Sequence, residues 1–174
     1  MKQSKVSIGL TNPKSPKNVA SVMRAAGNYG VGEIFYTGTR YDRAVVLNPD
    51  TPNLSRSVGQ AIPLTAVNCL IDAVTEDVKI VCVEFAENAT ALPEYKHPEN
   101  ALYVFGPEDG TLAQDVIDRA DDVVYVPTVG CMNLAATVNV LLYDRLAKSF
   151  IEMDGNELIR QNRDTNNRLK VKKI

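Results

Sequence analysis

The chain has 174 residues, 45% of them hydrophobic and 23% charged, with a formal net charge of −2. That is the make-up of one α/β domain with a core of ordinary size, and no overall basic excess announces a nucleic-acid partner. Three cysteines, Cys69, Cys82 and Cys131, are too few and too far apart for a metal cluster, and a single histidine, His97, excludes a His dyad or a three-His metal site.

Charge is unevenly distributed. Residues 1–40 carry six Lys/Arg against one acid, 84–122 carry ten acids against two basic residues, and 155–174 carry six basic residues against two acids. The basic ends could share one face; ordinary solvated surface charge explains the pattern equally well. Cys82 in a buried strand pattern and Cys69 in a predicted helix read as reduced core residues, which points to the cytoplasm. The opening MKQSKVSIGL runs directly into a strand, so no signal peptide is expected, and no apolar run approaches membrane-spanning length.

In chain order, Val6–Leu10 is a short apolar strand ended by Thr11–Asn12–Pro13. Ser15 with Pro16 at the first helical position predicts a helix start, and Gly30 a left-handed helix end. Glu33–Thr37 is the next strand, so residues 5–37 form a parallel βαβ unit. Residues 38–66 are irregular, with a short helix expected around Asn53–Val58 and a strand near Ile62–Leu64. Asn68–Thr75 reads as a helix and Lys79–Phe85 as a buried strand. Ala86–Asn100, polar with two prolines, reads as a surface segment. Ala101–Phe105 is a strand, and the turn Gly106–Gly110 leads to Thr111, expected to cap a helix to about Asp118.

A last strand, Val123–Val126, stops at Pro127. The loop Thr128–Cys131 follows, and Asn133 is placed to cap an inwardly apolar helix from Leu134 to Lys148. Beyond Phe150 the chain is rich in Asn, Arg and Lys, a final short helix or tail. This strand–helix alternation predicts an α/β fold with a mainly parallel sheet covered by helices on both faces. In such sheets ligands sit at the carboxyl ends of the strands.

Three constellations stand out. Asn18 and Arg24 lie at the start and in the body of the first helix. An arginine between Met23 and Ala25 is either snorkelling from a half-buried face or binding an anion through its planar fork of donors. Phe105–Gly106–Pro107–Glu108–Asp109–Gly110 is neither a dinucleotide fingerprint nor a P-loop, and Glu108 could do no more than favour the next helix. Asn133 is a good helix cap, and Cys131 has no histidine nearby in sequence to activate it.

In order and spacing, strand–N(x5)R–helix, strand–FGPE(x)G–helix and strand–VP–loop–MNL–helix together resemble the three motifs of the SpoU (TrmH-like) branch of the SPOUT superfamily, RNA ribose 2′-O-methyltransferases. The resemblance covers about residues 5–150. It implies an α/β SPOUT fold whose C-terminal part, about 101–148, forms a trefoil knot, an exception to the rule against threaded chains. It implies S-adenosylmethionine as methyl donor, S-adenosylhomocysteine as product, and no metal.

By that resemblance Arg24 is the central catalytic residue, acting with an RNA phosphate, and Asn18, Glu108, Asn133 and the residue at Cys131 complete the catalytic set. The cofactor would lie against Val104, Phe105, Gly106, Gly110, Tyr125, Val126, Pro127, Met132, Asn133, Leu134 and Ala136. RNA would meet Lys14, Lys17, Arg24, Arg40, Arg43, Arg160, Arg163 and Arg168, with tRNA favoured over rRNA. The family pairs as homodimers through the knot helix, for which Leu134, Val138, Leu141 and Leu142 offer an apolar stripe, although core packing accounts for that stripe as well. Cys131 departs from the family's usual serine, and a thiol is a much weaker hydrogen-bond donor. Residues 1–150 would then be the catalytic domain and 151–174 a basic extension, and a catalytically weakened RNA-binding protein is the alternative.

Overall fold

The protein is described by a computed structural model over residues 5–47, 62–149 and 155–172. The helix expected around Asn53–Val58 lies outside those residues. The described strands are β1 (Val6–Leu10), β2 (Glu33–Tyr36), β3 (Leu64–Ala66), β4 (Lys79–Val83), β5 (Thr90–Ala91), β6 (Ala101–Phe105) and β7 (Asp122–Tyr125). They form one sheet in the order β3-β2-β1-β6-β4-β7-β5, and every pairing is parallel. β7 is thus seated between β4 and β5, both of which precede it in the chain.

The helices are α1 (Pro16–Asn28), α2 (Arg40–Leu47), α3 (Gln114–Asp118), α4 (Leu134–Lys148) and α5 (Gly155–Asn162). The period-two alternation of the strands divides the core into two layers. Ile8, Leu10, Ile34, Val81, Tyr103 and Val124 face α1 and α4. Phe35, Ile80, Cys82, Leu102 and Val104 face Leu70, Val78, Leu112 and the partly buried Val116 and Ile117 of α3. One face therefore carries two long helices, and the other a loop, a single turn and five-residue α3.

The helix signals in α1 act as the sequence suggests. Ser15 Oγ accepts the Asn18 N–H at 3.3 Å, with Pro16 opening the helix. At the far end Gly30 adopts φ +68, and Val31 N–H reaches Ala26 C=O at 2.9 Å. That six-to-one bond closes a Schellman turn, which needs a left-handed residue and hence favours glycine. Asn133 Oδ1 accepts the Ala135 N–H at 2.9 Å and caps α4 as expected.

Several expectations are corrected. Asn68–Thr75 is not a helix but one 3₁₀ turn, Ile71–Ala73. Leu70 is drawn under the sheet against Gly9, and Thr75 closes its own turn by accepting Val78 N–H, so too few residues remain for a nucleated helix. β3 begins two residues later than the predicted strand at Ile62–Leu64, because Pro63 has no N–H and only its carbonyl joins the edge, accepting Ile34 N–H at 2.9 Å. Thr111 does not cap α3, which starts at Gln114. Leu112 is buried and its N–H is held by Glu84 Oε2 at 2.9 Å, keeping the chain extended past it.

Ala86–Asn100 is not merely surface: it contains β5 and a 3₁₀ turn and buries Leu92 and Tyr95. Finally, Leu134, Val138, Leu141 and Leu142 face inward in the core, so that stripe cannot be a surface for a second chain. The large apolar residues α4 exposes are Val140, Tyr143 and Leu146.

Candidate active site

The loops that follow the carboxyl ends of β4, β6 and β7 enclose a cleft above the sheet. Its walls are Val83–Phe85 at the end of β4, Phe105–Glu108 and Gly110 at and beyond the end of β6, Tyr125, Val126, Thr128, Cys131 and Met132 at and beyond the end of β7, and Leu134 and Thr137 of α4. Glycine at 106 matters to its shape. A Cβ there would come within 3.3 Å of Glu84 Oε2 and 3.4 Å of Leu112 N.

Glu108 joins the motifs. Its carboxylate accepts the N–H groups of Lys14 at 2.9 Å and Ser15 at 3.1 Å, and the Asn18 side-chain amide at 3.3 Å. Asn18 Oδ1 in turn accepts the Asn133 amide at 3.0 Å. Asn133 uses its own Oδ1 on the first turn of α4. One continuous hydrogen-bonded chain, Glu108–Asn18–Asn133–α4, thus links three segments that lie up to 115 residues apart in sequence. Burial pushes the Glu108 carboxyl up, but the N–H groups of Lys14, Glu108 itself and Ser15, with the Asn18 amide, outweigh it and hold the carboxyl below its usual range. Glu108 is therefore an anion at neutral pH.

At the rim, Asp109 binds Arg40 Nη2 at 2.9 Å and Lys14 Nζ at 3.1 Å. Those two cations hold its carboxyl below the ordinary value. Asn12, before Pro13, has φ 42, and Gly38 with φ +76 packs so close that a Cβ there would collide with the Asn12 side chain. These two turns set the backbone that carries Lys14 and Arg40.

Of the residues proposed for the cofactor, Phe105, Gly106, Gly110, Tyr125, Val126, Met132 and Leu134 line the cleft, whereas Val104, Pro127, Asn133 and Ala136 do not. Val104 points into the opposite core layer. Cys131 is exposed at the cleft wall. Arg24 is exposed on α1 and is not part of the lining. Lys17 and Arg43 are exposed on α1 and α2, and Arg160, Arg163 and Arg168 lie in or after α5, which the described residues do not connect to α4. Glu84, Phe85, Thr128 and Thr137 line the cleft without having been singled out from sequence. For Glu84 the available signal was a carboxylate terminating the apolar run KIVCV, where a strand leaves the core. Among the described residues no group of three or more His, Cys, Asp or Glu could hold a metal ion.

The sequence model of the SpoU rRNA methylase family matches residues 5–143. The tRNA (cytidine-2′-O-)-methyltransferase TrmJ of Methanocaldococcus jannaschii is 28% identical over 91% of this chain and 76% of its own length. Two solved structures share the fold. The TrmH/SpoU tRNA modifying enzyme of A. aeolicus has a TM-score of 0.69 at 16% identity, over 83% of this chain and 75% of its own. The SpoU methyltransferase AviRb of Streptomyces viridochromogenes, in complex with AdoMet, has a TM-score of 0.68 at 18% identity, over 84% of this chain and 58% of its own.

Proposed function

The chain belongs to the SpoU rRNA methylase family, and from that premise we propose that it is an S-adenosylmethionine-dependent RNA ribose 2′-O-methyltransferase acting on tRNA. The observation that carries this reading is the chain of hydrogen bonds from Glu108 through Asn18 to Asn133, set at the mouth of a cleft at the carboxyl ends of β4, β6 and β7. The named relative acts on tRNA cytidine, which supports tRNA as substrate.

The cleft fits the cofactor: it has a glycine where a side chain would fill it, and the first turn of α4 on one wall. The backbone of residues 105–107, 125–126, 132 and 134, which line the cleft, would hold it. S-adenosylmethionine supplies a methyl group on a sulfonium, electrophilic enough that in-line placement accounts for much of the rate. Arg24, through its planar fork of donors, would hold an RNA phosphate and so fix the neighbouring ribose, whose 2′-hydroxyl would pass its proton to that phosphate as its oxygen takes the methyl group. Glu108 ties the Lys14–Asn18 segment to the turn after β6, so that α1 and the cleft keep one relative position. Asn133 fixes the α4 end of the same assembly.

Lys14, Lys17, Arg40 and Arg43, with Arg160, Arg163 and Arg168 of the 151–174 extension, would track the RNA backbone, and 1–150 would be the catalytic domain. The segment 101–148 is assigned as a trefoil knot, which the late insertion of β7 between β4 and β5 supports. A homodimer would form through the exposed side of α4. A reduced core Cys82, whose thiol burial pushes up to about 12, and a tRNA substrate both suit a cytoplasmic enzyme.

Exposed Cys131 favours one second reading, a weakened enzyme that keeps RNA and cofactor binding. Transfer of labelled methyl from S-adenosylmethionine to bulk tRNA, wild type against Arg24→Ala, separates the two. The enzyme reading expects transfer by wild type and a loss of about a hundredfold or more in Arg24→Ala, with cofactor affinity unchanged. Unchanged methylation in Arg24→Ala refutes the role of Arg24. Cofactor binding with no transfer by wild type establishes the weakened form.

A further inference from the structure

Among the described residues, Glu84 and Glu108 are the only charged ones on the cleft wall, and no basic side chain lines it. Glu108 is already committed to three donors. Glu84 is not. Its backbone is fixed at the end of β4, where Glu84 N–H bonds Val124 C=O at 3.0 Å. Its carboxylate is oriented by two backbone amides, Phe85 N–H on Oε1 and Leu112 N–H on Oε2, each at 2.9 Å. A carboxylate oxygen has two lone pairs, so each retains one acceptor site after these bonds. The result is a rigid fork of acceptors beside Gly106, whose missing Cβ lets a ligand approach closely.

A fork of acceptors is matched by a fork of donors. S-adenosylmethionine offers one such pair, the vicinal 2′- and 3′-hydroxyls of its ribose. Its amino-acid end carries a carboxylate as well as an ammonium, and that end is better suited to the first turn of α4, where the helix dipole favours negative charge. The adenine amino group supplies only one branch of a fork. Resting on the methyltransferase reading above, we propose that Glu84 is a cofactor-binding residue whose two carboxylate oxygens accept the ribose hydroxyls of S-adenosylmethionine. A negative wall with no cation has a second consequence: nucleotides bearing phosphate groups are repelled from the cleft, while a cationic sulfonium is not.

Calorimetric titration of S-adenosylhomocysteine, its 3′-deoxyribose analogue and methylthioadenosine into wild type, Glu84→Gln and Glu84→Ala tests this. Methylthioadenosine keeps the diol and lacks the amino-acid end. Wild type should bind the deoxy analogue about tenfold or more weakly than the parent, and Glu84→Ala should bind the parent about ten- to a hundredfold more weakly than wild type. Removing the hydroxyl should then cost the Ala variant little further, and methylthioadenosine should show the same dependence on Glu84. Parent binding unchanged in both variants overturns the assignment, as does a Glu84 dependence that vanishes with methylthioadenosine, which would place the ammonium there. Thermal unfolding with and without ligand separates affinity from folding: Glu84→Gln, whose new NH₂ must face a backbone N–H, should unfold somewhat below wild type when free of ligand, and should gain less stabilisation from added ligand, measured against its own ligand-free midpoint. Wild type that binds none of the three ligands overturns the methyltransferase reading itself.

Discussion

Glu108 sits where burial and hydrogen bonding oppose each other, and hydrogen bonding wins. Three donors from the Lys14–Asn18 segment meet its two oxygens. In Glu108→Gln one oxygen becomes an NH₂ facing a backbone N–H, leaving donors opposed, at a cost of about 1–3 kcal/mol at neutral pH. The sign with pH follows from the lowered carboxyl. A group whose folded value lies below its unfolded one contributes fully above the ordinary carboxylate value, about 4.3, and that contribution disappears as pH falls through the folded value. Urea unfolding of both proteins from pH 7 to pH 3 should therefore show a gap that closes in acid; a gap constant with pH would refute the assignment. At this scale the sequence was most legible where a residue has a local job. Asn133 reads as a cap and is one, and Ser15 likewise. What could not be read from one segment is that Asn133 also donates to Asn18 across the molecule. Glu84 escaped because a charge at the end of an apolar run looks like the point where a strand meets water.

At the scale of elements, strands and long helices were legible because periodic burial writes itself into the sequence, as in β1, β6 and the inward side of α4. The segments before β4 and before β6 were not: the first buries apolar residues such as Leu70 without a helical or strand period, and the second is held largely by polar contacts. His97 shows why. Its side chain is only 5% exposed; Nδ1 lies 2.7 Å from Tyr103 Oη and Nε2 2.9 Å from Asp144. Arg145 donates to the same Tyr103 hydroxyl and to the carbonyls of Pro98 and Glu99. Lys148 donates to the carbonyls of Leu92 and Tyr95 and pairs with Asp144. Three residues at the end of α4, Asp144, Arg145 and Lys148, thus help to hold a proline-bearing loop.

Burial lowers the His97 value, and its bond to Asp144, which would raise it, does not compensate; the cations Arg145 and Lys148 act in the same direction as burial. His97 is therefore neutral in the fold, donating from Nε2 to Asp144 and accepting from Tyr103. Since the unfolded chain takes up its proton near pH 6.5, stability attributable to His97 is lost as pH falls below that value towards the lower folded one. His97→Gln, which cannot charge, should show a flatter fall in melting temperature between pH 7 and pH 5 than wild type. Equal slopes would show that the imidazole does not change charge on unfolding.

For the whole molecule, the decisive contrast lies between the two sides of α4. Leu134, Val138, Leu141 and Leu142 are consumed by the core against α1 and the sheet. The helix nevertheless leaves Val140, Tyr143 and Leu146 exposed, with Tyr143 62% accessible. Their spacing of three places them on one side of the helix. Exposed apolar residues in isolation need no explanation, and a stripe of three on the helix that closes the cleft is the surface through which the proposed homodimer would pair. A self-complementary dimer brings the stripe against its own copy, so one substitution acts twice. Tyr143→Glu should therefore convert a dimer to a monomer at micromolar concentration in sedimentation velocity, with the far-ultraviolet circular dichroism unchanged because the inward residues are untouched. Val116→Ala, a truncation in α3 on the opposite face of the sheet, should lower thermal stability and leave the dimer intact. A wild type that sediments as a monomer would leave α4 as a core helix with an apolar outer edge, and would require the cleft to work within one chain.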